Sequence, residues 1–457
     1  MESIRKHALR GAVWTLGGYF LNQVLRLASN LILTRLLVPE YFGIMAIANT
    51  IRTGLELFSD LGIGQSIIQN KNGEDPDFRN TAWTVQIARG MVLWGISLLA
   101  TWPLAKFYGG DNPEYFTVLL WLIPLVSLTS LIDGCRSTAV PILKRRMQLG
   151  KLTMFELFAQ VVFLVVLVVW CYFSPSVFAL AAGGLFGSLF QTVGTFFLMK
   201  DHRHRLAWNP VVVREILKFG QWMFVATALM FAAEQADRLI LGKLLTFGAL
   251  GVYTIAYTMS DFPRAIFRIL GDRVLFPVVA QRAELPRSEL RLKLLLQRRK
   301  LLLGGIALLT FLTACGDWII YLLYDNRYEA ATWMMPILCA GTWFSLLYQT
   351  TSPALLGLGK PVYAAQSNLA RLITVACLLP VGFHFFGILG AVGAIAIADL
   401  PSYCILTFGL RHEGLGLISQ DLKATLLFAV VATLAILARQ GLGLGLPIDA
   451  LFTAAMP

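Results

Sequence analysis

The chain has 457 residues, of which 57% are hydrophobic and only 14% are charged, and its mean hydropathy is +0.68. Soluble domains contain roughly 45–50% apolar and about 25% charged residues. The composition therefore predicts an integral membrane protein. It leaves no room for a separate soluble domain, because the longest strongly polar interval runs only from Arg282 to Lys300. The net charge of +12 is concentrated in the predicted loops, which argues against a nucleic-acid partner.

Twelve apolar windows follow one another, each near the length of about 20 residues that crosses a bilayer. The first six lie near 12–34, 41–67, 81–105, 115–135, 153–173 and 177–199. The next six lie near 216–245, 249–275, 300–324, 331–357, 363–386 and 388–410. A further helix is predicted at 421–438, and the short apolar end from Leu442 to Pro457 leaves 13 or 14 helices open. The first window carries Arg26 and lacks a clear cleavage site, so we interpret it as a retained helix rather than a signal peptide.

An internal repeat organises these windows. The segment Asn30 to Ala48 recurs at Arg238 to Ala256 with a constant offset of 208 residues. Eight of the nineteen aligned positions are identical, namely Leu31, Ile32, Leu33, Leu36, Leu37, Gly43, Ile47 and Ala48 with their counterparts. Because each copy holds an even number of helices, both halves should enter the membrane in the same orientation.

The predicted fold class is therefore an all-α polytopic membrane protein. Two parallel-repeat six-helix bundles would surround a central cleft, with one or two additional C-terminal helices. The predicted domains are an N-terminal bundle (1–200), a cytoplasmic linker (201–215), a C-terminal bundle (216–411) and an additional helix with a short apolar end (412–457).

Basic residues predict the orientation in the membrane. With a cytoplasmic N-terminus, 28 lysines and arginines fall on the inside and 5 on the outside, which satisfies the positive-inside rule. The basic interval from Arg282 to Lys300 has leucines among its charges and is typical of an amphipathic helix lying on the cytoplasmic leaflet.

Five arginines fall within apolar windows, namely Arg26, Arg52, Arg89, Arg238 and Arg371. A charge at a helix centre costs about 2.5–3.5 kcal/mol on insertion scales, so these side chains should face the cleft or a partner. Acidic residues accompany them, with Glu56 and Asp60 following Arg52 on one stripe, and Glu234 and Asp237 preceding Arg238.

The offset of 208 places opposite charges at equivalent positions of the two halves. Arg26 aligns with Glu234, Glu56 with Arg264, and Asp60 with Arg268. Residues near a pseudo-twofold axis meet their own equivalents, so we predict that Glu56 and Asp60 pair with Arg264 and Arg268 as a cytoplasmic gate. Two alternatives stay open: these charges pair within their own half, as Arg52 and Glu56 would at i, i+4 spacing, or they face cytoplasmic water.

The first helix carries a polar face. Asn22, Gln23, Arg26 and Asn30 share it at helical spacing, with Trp14 and Tyr19 nearer the start of the helix. Amides can bind hydroxyls, aromatic rings can stack on sugars, and a guanidinium can bind phosphate oxygens at two points. We predict a substrate-binding set of Asn22, Gln23, Arg26, Asn30, Arg52 and Arg238. The alternative for the amides, above all Asn30, is that they hold helices together.

Signals for chemistry are weak. The chain has no P-loop, HExxH or zinc spacing, and its six cysteines lie in or beside apolar segments without a CxxC pair. Asp75 and Asp77 form a DxD in a short loop without a nucleotide fold, and Gly183 and Gly187 indicate helix packing. We therefore expect no catalytic residue, no metal and no cofactor, and thus a protein that is not an enzyme.

Several stretches also resemble a known family. They are TRLLVPEYFGIMAIA from Thr34, FSDLGIGQSIIQ from Phe58, NTAW from Asn80, LKRRMQLGKL from Leu143 and DRLILGKLLTFGALGVYTIA from Asp237. Together they resemble the polysaccharide-transporter family of oligosaccharide flippases, of the colanic-acid-exporter type, within the multidrug/oligosaccharidyl-lipid/polysaccharide superfamily. The resemblance implies two six-helix bundles around a V-shaped cavity and alternating access. It also implies transfer of an undecaprenyl-diphosphate-linked repeat unit between leaflets.

The sequence thus predicts a flippase that moves a polyprenyl-diphosphate-linked oligosaccharide to the periplasmic leaflet of the bacterial inner membrane. Its predicted partners are the lipid-linked oligosaccharide and the bilayer, with a polysaccharide polymerase and glycosyltransferases as further candidates. One alternative is a cation-coupled small-molecule exporter of the same superfamily. The other is a membrane-embedded polysaccharide polymerase, which the short outside loop from Lys106 to Glu114 disfavours.

Overall fold

A computed structural model describes residues 2–199, 204–280, 285–449 and Leu451, and these residues form helices without a β-strand. The first eight helices are α1 (Glu2–Leu36), α2 (Pro39–Leu57), α3 (Ile63–Gln69), α4 (Pro76–Gly109), α5 (Pro113–Gly134), α6 (Ala139–Arg145), α7 (Leu149–Phe173) and α8 (Val177–Phe196). The next eight are α9 (Pro210–Leu244), α10 (Phe247–Leu270), α11 (Phe276–Ala280), α12 (Arg287–Leu323), α13 (Ala330–Gly357), α14 (Val362–Ile397), α15 (Asp399–His412) and α16 (Ile418–Gly441). A π turn (Gly271–Leu275) precedes α11, and a 3₁₀ turn (Asn326–Tyr328) precedes α13.

Within the described residues, eight helical segments are long and apolar enough to cross a membrane. They are α4, α5, α7, α8, α12, α13, the segment formed by α14 with α15, and α16. Helices α1, α2, α9 and α10, which contain the repeated segments, have 35, 19, 35 and 24 residues and carry charged residues in their second halves. The chain is an all-α multi-pass membrane protein.

The chain forms two compact units, Met1–Phe231 and Ala232–Pro457. In the first unit, glycines allow close helix packing. A Cβ added at Gly90 of α4 would lie 2.8 Å from the Ser130 carbonyl oxygen of α5. A Cβ at Gly183 of α8 would lie 2.4 Å from Leu167, and one at Gly187 would lie 2.5 Å from Phe163, both on α7. The Gly183/Gly187 motif is thus a packing surface, as predicted.

The second unit is built around α13, which is buried along most of its length. Trp343 and Leu346 of α13 pack in one apolar cluster with Leu302 and Leu309 of α12 and Phe428 of α16. The indole of Trp343 stacks on Phe428 at 4.7 Å and donates a hydrogen bond of 3.0 Å to Thr425. The helix predicted at 421–438 is therefore an integral part of this unit.

Two irregularities interrupt the long segment from α14 to α15. Gly387 has φ 58° and ψ −142°, a conformation that only glycine adopts readily, and it separates the predicted windows at 363–386 and 388–410. A second break at Ala398 starts α15, so Asp399 lies in the first turn of a new helix.

The prediction of a surface helix at 282–300 is wrong in part. Residues 282–284 lie outside the described chain, and from Arg287 onward α12 runs without a break into the apolar segment that ends at Leu323. Leu290 and Leu294 are fully buried, and so is Arg298, whereas Leu292 and Leu296 are exposed. The stretch is amphipathic, as predicted, but it is the beginning of a spanning helix.

Candidate functional site

The polar side chains of α1 occupy one side of that helix. At about 100° per residue, Asn22, Gln23, Arg26 and Asn30 fall within an arc of about 100°. The exposed apolar side chains Phe20, Val24 and Leu27 lie outside this arc. The two amides and Asn30 are half-buried and Arg26 is exposed, while Leu33 and Leu37 farther along pack on α7. Trp14 and Tyr19 were predicted to accompany this set, but their side chains lie outside the described part of the structure.

In the first unit, the α2 charges have polar partners. The Arg52 guanidinium lies 3.2 Å from the Glu56 carboxylate and donates a hydrogen bond of 3.2 Å to Thr129. Glu56 also accepts a hydrogen bond of 2.8 Å from the Ser130 hydroxyl. Arg89 of α4 donates to the Glu56 carbonyl oxygen at 2.5 Å, so α2, α4 and α5 are joined by one polar network.

The Asp60 carboxylate closes the turn that follows α2. It accepts a hydrogen bond of 2.9 Å from the backbone N–H of Gly62, which has φ 59°. Arg89 is within electrostatic range of Asp60 and donates a bond of 3.0 Å to Ser59. The charge of Arg89 is therefore balanced by nearby acids.

In the second unit, Asp399 bridges two arginines. Its carboxylate lies 2.5 Å from Arg264 of α10 and 2.8 Å from Arg371 of α14. The side chains of all three are at most 12% exposed. Arg264 also lies 3.2 Å from Asp261, and Arg371 donates to the carbonyl oxygen of Ala233. The cluster thus combines two cations with two anions.

Glu234, Asp237 and Arg238 of α9 are paired or packed as well. The buried Asp237 accepts a hydrogen bond of 2.6 Å from the Tyr253 hydroxyl. Arg238 donates a bond of 2.7 Å to Gln235, and its guanidinium lies 5.3 Å from the centre of the Tyr257 ring. The predicted members Glu234 and Arg268 form an ion pair of 3.0 Å.

These contacts bear on the predicted gate. Glu56 has its partners on α2 and α5, and Asp60 has its partner in the following turn. Arg264 and Arg268 have theirs within the second unit. These contacts match the alternative that the charges pair within their own half. Pairing of Glu56 and Asp60 with Arg264 and Arg268 stays a prediction.

One cation differs from the others. Of the five arginines that the sequence places inside apolar windows, Arg52, Arg89, Arg238 and Arg371 each have an acidic residue nearby. Within the described part of the chain, the Arg26 guanidinium is exposed and forms no ion pair. An uncompensated guanidinium beside amides is suited to bind a phosphate group.

Two loops outside the spanning segments are held by specific side-chain contacts. A hydrogen bond from Arg146 lowers the pKa of Glu74, and the two side chains are 2.5 Å apart. Burial, and then the charge of Arg79, lowers the pKa of His204, whose ring packs 4.9 Å from Trp83 and 5.0 Å from Phe196. Among the described residues there is no group of three or more His, Cys, Asp or Glu placed to hold a metal ion.

Three acids that balance arginines were not predicted from the sequence. Asp399 lies inside an apolar window, and its partners Arg264 and Arg371 are 135 and 28 residues away in sequence. Asp421 pairs with the fully buried Arg298, which also donates to Thr350 at 3.1 Å and Thr351 at 3.0 Å. An acid within an apolar segment was the sequence feature that could have indicated these pairs. A charge is costly in the membrane, so such an acid is expected to have a partner.

The third such acid is Asp317, which forms a two-point ion pair of 2.6 Å with Arg439. Arg439 lies in the last turn of α16, and its side chain is 7% exposed. Its guanidinium also lies over the Trp318 ring at 4.4 Å.

The helical architecture defines a multi-pass membrane protein. The family described as polysaccharide biosynthesis protein matches residues 32–332, and the chain belongs to this family. The lipopolysaccharide biosynthesis protein WzxC of Escherichia coli K12 is 25% identical over 282 residues, which cover 61% of this chain and 56% of that relative. The teichuronic acid biosynthesis protein TuaB of Bacillus subtilis 168 is 20% identical over 366 residues, covering 79% and 73%.

Solved structures establish the fold. The chain is similar to the lipid II flippase MurJ in an inward closed conformation, with a TM-score of 0.73, 14% identity, and coverage of 93% of this chain and 92% of that one. It is also similar to an inward-facing multidrug resistance MATE family transporter of the MOP superfamily, with a TM-score of 0.69, 13% identity, and coverage of 88% and 96%. The predicted all-α fold class is thereby confirmed.

Proposed function

We propose that this protein carries a polyprenyl-diphosphate-linked oligosaccharide from the cytoplasmic to the periplasmic leaflet for cell-surface polysaccharide assembly. Family membership supports a role in polysaccharide biosynthesis. The similarity in fold to a lipid II flippase supports transfer of a lipid-linked sugar. The observation that carries the proposal is Arg26, the one of the five predicted arginines without an acidic neighbour among the described residues.

In this proposal the α1 polar face binds the head group. The Arg26 guanidinium would bind phosphate oxygens through two N–H groups, and the amides of Asn22, Gln23 and Asn30 would bind sugar hydroxyls. Arg52 and Arg238 would contribute after exchanging their present partners, Glu56 and Gln235, for substrate oxygens. The prenyl chain would remain in the lipid.

Transport in this scheme requires no bond cleavage. The two six-helix halves would rock to open the cleft alternately to each side, so the protein needs no catalytic residue and no cofactor. Outward transfer of an anionic head group is favoured by the membrane potential, which contributes about 2.3 kcal/mol per charge per 100 mV. Glu234 and Asp237 are the candidate residues for ion coupling, and Glu56, Asp60, Arg264 and Arg268 are the candidate gate.

We place the protein in the bacterial cytoplasmic membrane with its N-terminus inside the cell. The excess of lysine and arginine in the predicted cytoplasmic loops supports this orientation. A polysaccharide polymerase and glycosyltransferases are the partners that would consume and supply the lipid-linked oligosaccharide.

The test uses a strain that lacks the gene and is complemented with variants. Lipid-linked oligosaccharide exposed on the outer leaflet is labelled in spheroplasts with an impermeant lectin. Arg26→Gln should reduce labelling by about tenfold or more, because a charge-assisted contact contributes about 1.5–3 kcal/mol, and Arg26→Lys should retain part of it.

The charge-matched control is Arg35→Gln, at an exposed arginine in the last turn of the same helix, and it should label as the wild type does. Protein levels are measured for every variant. Wild-type labelling by Arg26→Gln would refute the role of Arg26. Normal labelling in the deletion strain itself would refute the flippase proposal.

The second candidate is a cation-coupled small-molecule exporter, which the similarity in fold to a MATE family transporter favours. In that case, deletion would sensitise cells to cationic drugs and leave the outer-leaflet labelling unchanged.

A further inference from the structure

An open groove lies where the linker enters α9. Its volume is about 520 Å³, and its apolar part is formed by Pro210, Val213 and Leu217. Trp208, Arg214, Lys218 and Gln221 complete its lining. None of these residues belongs to the α1 polar face or to the charge clusters described above.

The polar members of the groove have free binding capacity. Arg214, Lys218 and Gln221 follow one another at helical spacing and are exposed. In the part of the chain that the structure describes, their side chains form no hydrogen bond or ion pair. Trp208 is also 61% exposed.

The exposed Trp208 is nevertheless held on a fixed backbone. The backbone N–H of Ala207 donates to the Thr84 hydroxyl at 3.1 Å, and that of Asn209 donates to the Thr81 hydroxyl at 3.3 Å. Upstream, the His204 ring is packed against Trp83. The linker is therefore attached to α4 on both sides of Trp208. Ligand binding does not have to order the backbone at Trp208, which would cost conformational entropy.

The other side of α9 fixes the orientation of the helix. Val212 and Ile216 are buried in a cluster with Ile63 and Phe78, and a Cβ at Gly220 would lie 2.9 Å from Leu61. Because this face is packed, the opposite face, with Arg214, Lys218 and Gln221, is held toward the groove.

From this arrangement we propose that the groove is an entry site for the sugar diphosphate head group of the lipid-linked substrate. The Arg214 fork and the Lys218 ammonium would bind the two phosphates, the Gln221 amide would bind a sugar hydroxyl, and the Trp208 indole would cover a sugar ring. The proposal rests on the function proposed above. It adds a first binding step on the face that positive-inside counting assigns to the cytoplasm.

Anionic phospholipid is the competing occupant, since basic and aromatic side chains also anchor proteins to membrane surfaces. A lipid surface is recognised by basic and aromatic side chains and requires no amide beside them. The Gln221 amide next to Arg214 and Lys218 favours a head group that carries hydroxyls as well as phosphates.

The test measures binding to the full chain, purified in detergent, by isothermal titration with farnesyl diphosphate linked to one hexosamine. The double variant Arg214→Gln/Lys218→Gln should weaken affinity by about 10- to 100-fold, and Trp208→Ala by about tenfold. Arg205→Gln and Leu206→Ala are the matched controls, because both residues are exposed on the same linker outside the groove lining, and they should bind as the wild type does. Phosphatidylglycerol binding by the same proteins is measured by native mass spectrometry.

The outcomes separate the groove from the proposed function. Failure of the wild type to bind the probe would remove the substrate class, and with it both proposals. Normal probe binding by the groove variants would overturn the groove alone. A loss of phosphatidylglycerol binding with unchanged probe affinity would also overturn it, in favour of a lipid anchor. Arg214→Lys keeps the charge but loses the fork, so its affinity for the probe should lie between those of the wild type and the double variant.

Discussion

The Asp399 bridge allows a quantitative test of how the second unit tolerates charge. Asp399→Asn keeps the shape of the side chain but leaves the guanidinium groups of Arg264 and Arg371 without their shared carboxylate. Removing one partner of a buried ion pair costs about 3–5 kcal/mol. For a unit of roughly this size, about 2–4 °C of Tm is lost per kcal/mol, so we expect Tm to fall by roughly 6–20 °C.

A second substitution should reverse part of this loss. In Asp399→Asn/Arg371→Gln, the remaining Arg264 still has Asp261 at 3.2 Å, so one buried cation is removed and the other keeps a partner. The double variant should therefore be more stable than Asp399→Asn by about 1–3 kcal/mol. Asp261→Asn is the matched control, because its carboxylate is 38% exposed, and it should cost less than about 1 kcal/mol.

The assay is thermal unfolding of the purified protein in detergent, followed by intrinsic fluorescence. If the double variant unfolds at a lower temperature than Asp399→Asn, then Arg371 stabilises the unit by contacts other than charge balance. The reasoning would also fail if Asp261→Asn were as damaging as Asp399→Asn.

Two further substitutions test buried groups elsewhere. Arg298→Met should lower the free energy of unfolding by about 3–5 kcal/mol, because it leaves the Asp421 carboxylate without its cation. Adding Asp421→Leu should restore most of the lost Tm. A double variant less stable than Arg298→Met would contradict this. His204 has a lowered pKa because it is buried, so its contribution to stability is complete above its ordinary pKa of about 6.5 and is lost as the pH falls through the lowered value. Tm should fall on acidification from about pH 7.5 to about pH 5, and His204→Phe should remove part of that fall. The control His412→Gln, at an exposed site, should leave the fall unchanged. Equal falls in the wild type and both variants would exclude His204 as the cause.

Local patterns in the sequence were sufficient for the main helices. The apolar windows at 363–386 and 388–410 predicted a break where Gly387 adopts a positive φ. The spacing of Arg52 and Glu56 indicated, as one of two alternatives, the ion pair that the structure contains. In these cases the partners lie within a few residues of one another, so the helical period alone brings them together.

Partners distant in sequence could not be predicted in the same way. Arg298 lies in a basic amphipathic stretch, and nothing local distinguishes it from its exposed neighbours, because the acid that balances it lies 123 residues later. Asp399 bridges arginines on α10 and α14, which lie 135 and 28 residues away from it in sequence. Such contacts depend on which helices pack together.

The Arg298–Asp421 pair also sets an order of events during synthesis. At about 5–20 residues per second, the 123 residues between the two partners take roughly 6–25 s to be made. For that interval the guanidinium has no carboxylate to meet and must stay hydrated at the membrane edge, since an unpaired charge in hydrocarbon is costly. The first turns of α12 can therefore exclude water only after α16 has been inserted and has supplied Asp421. The ribosome must pass Asp421 before the second unit can pack fully.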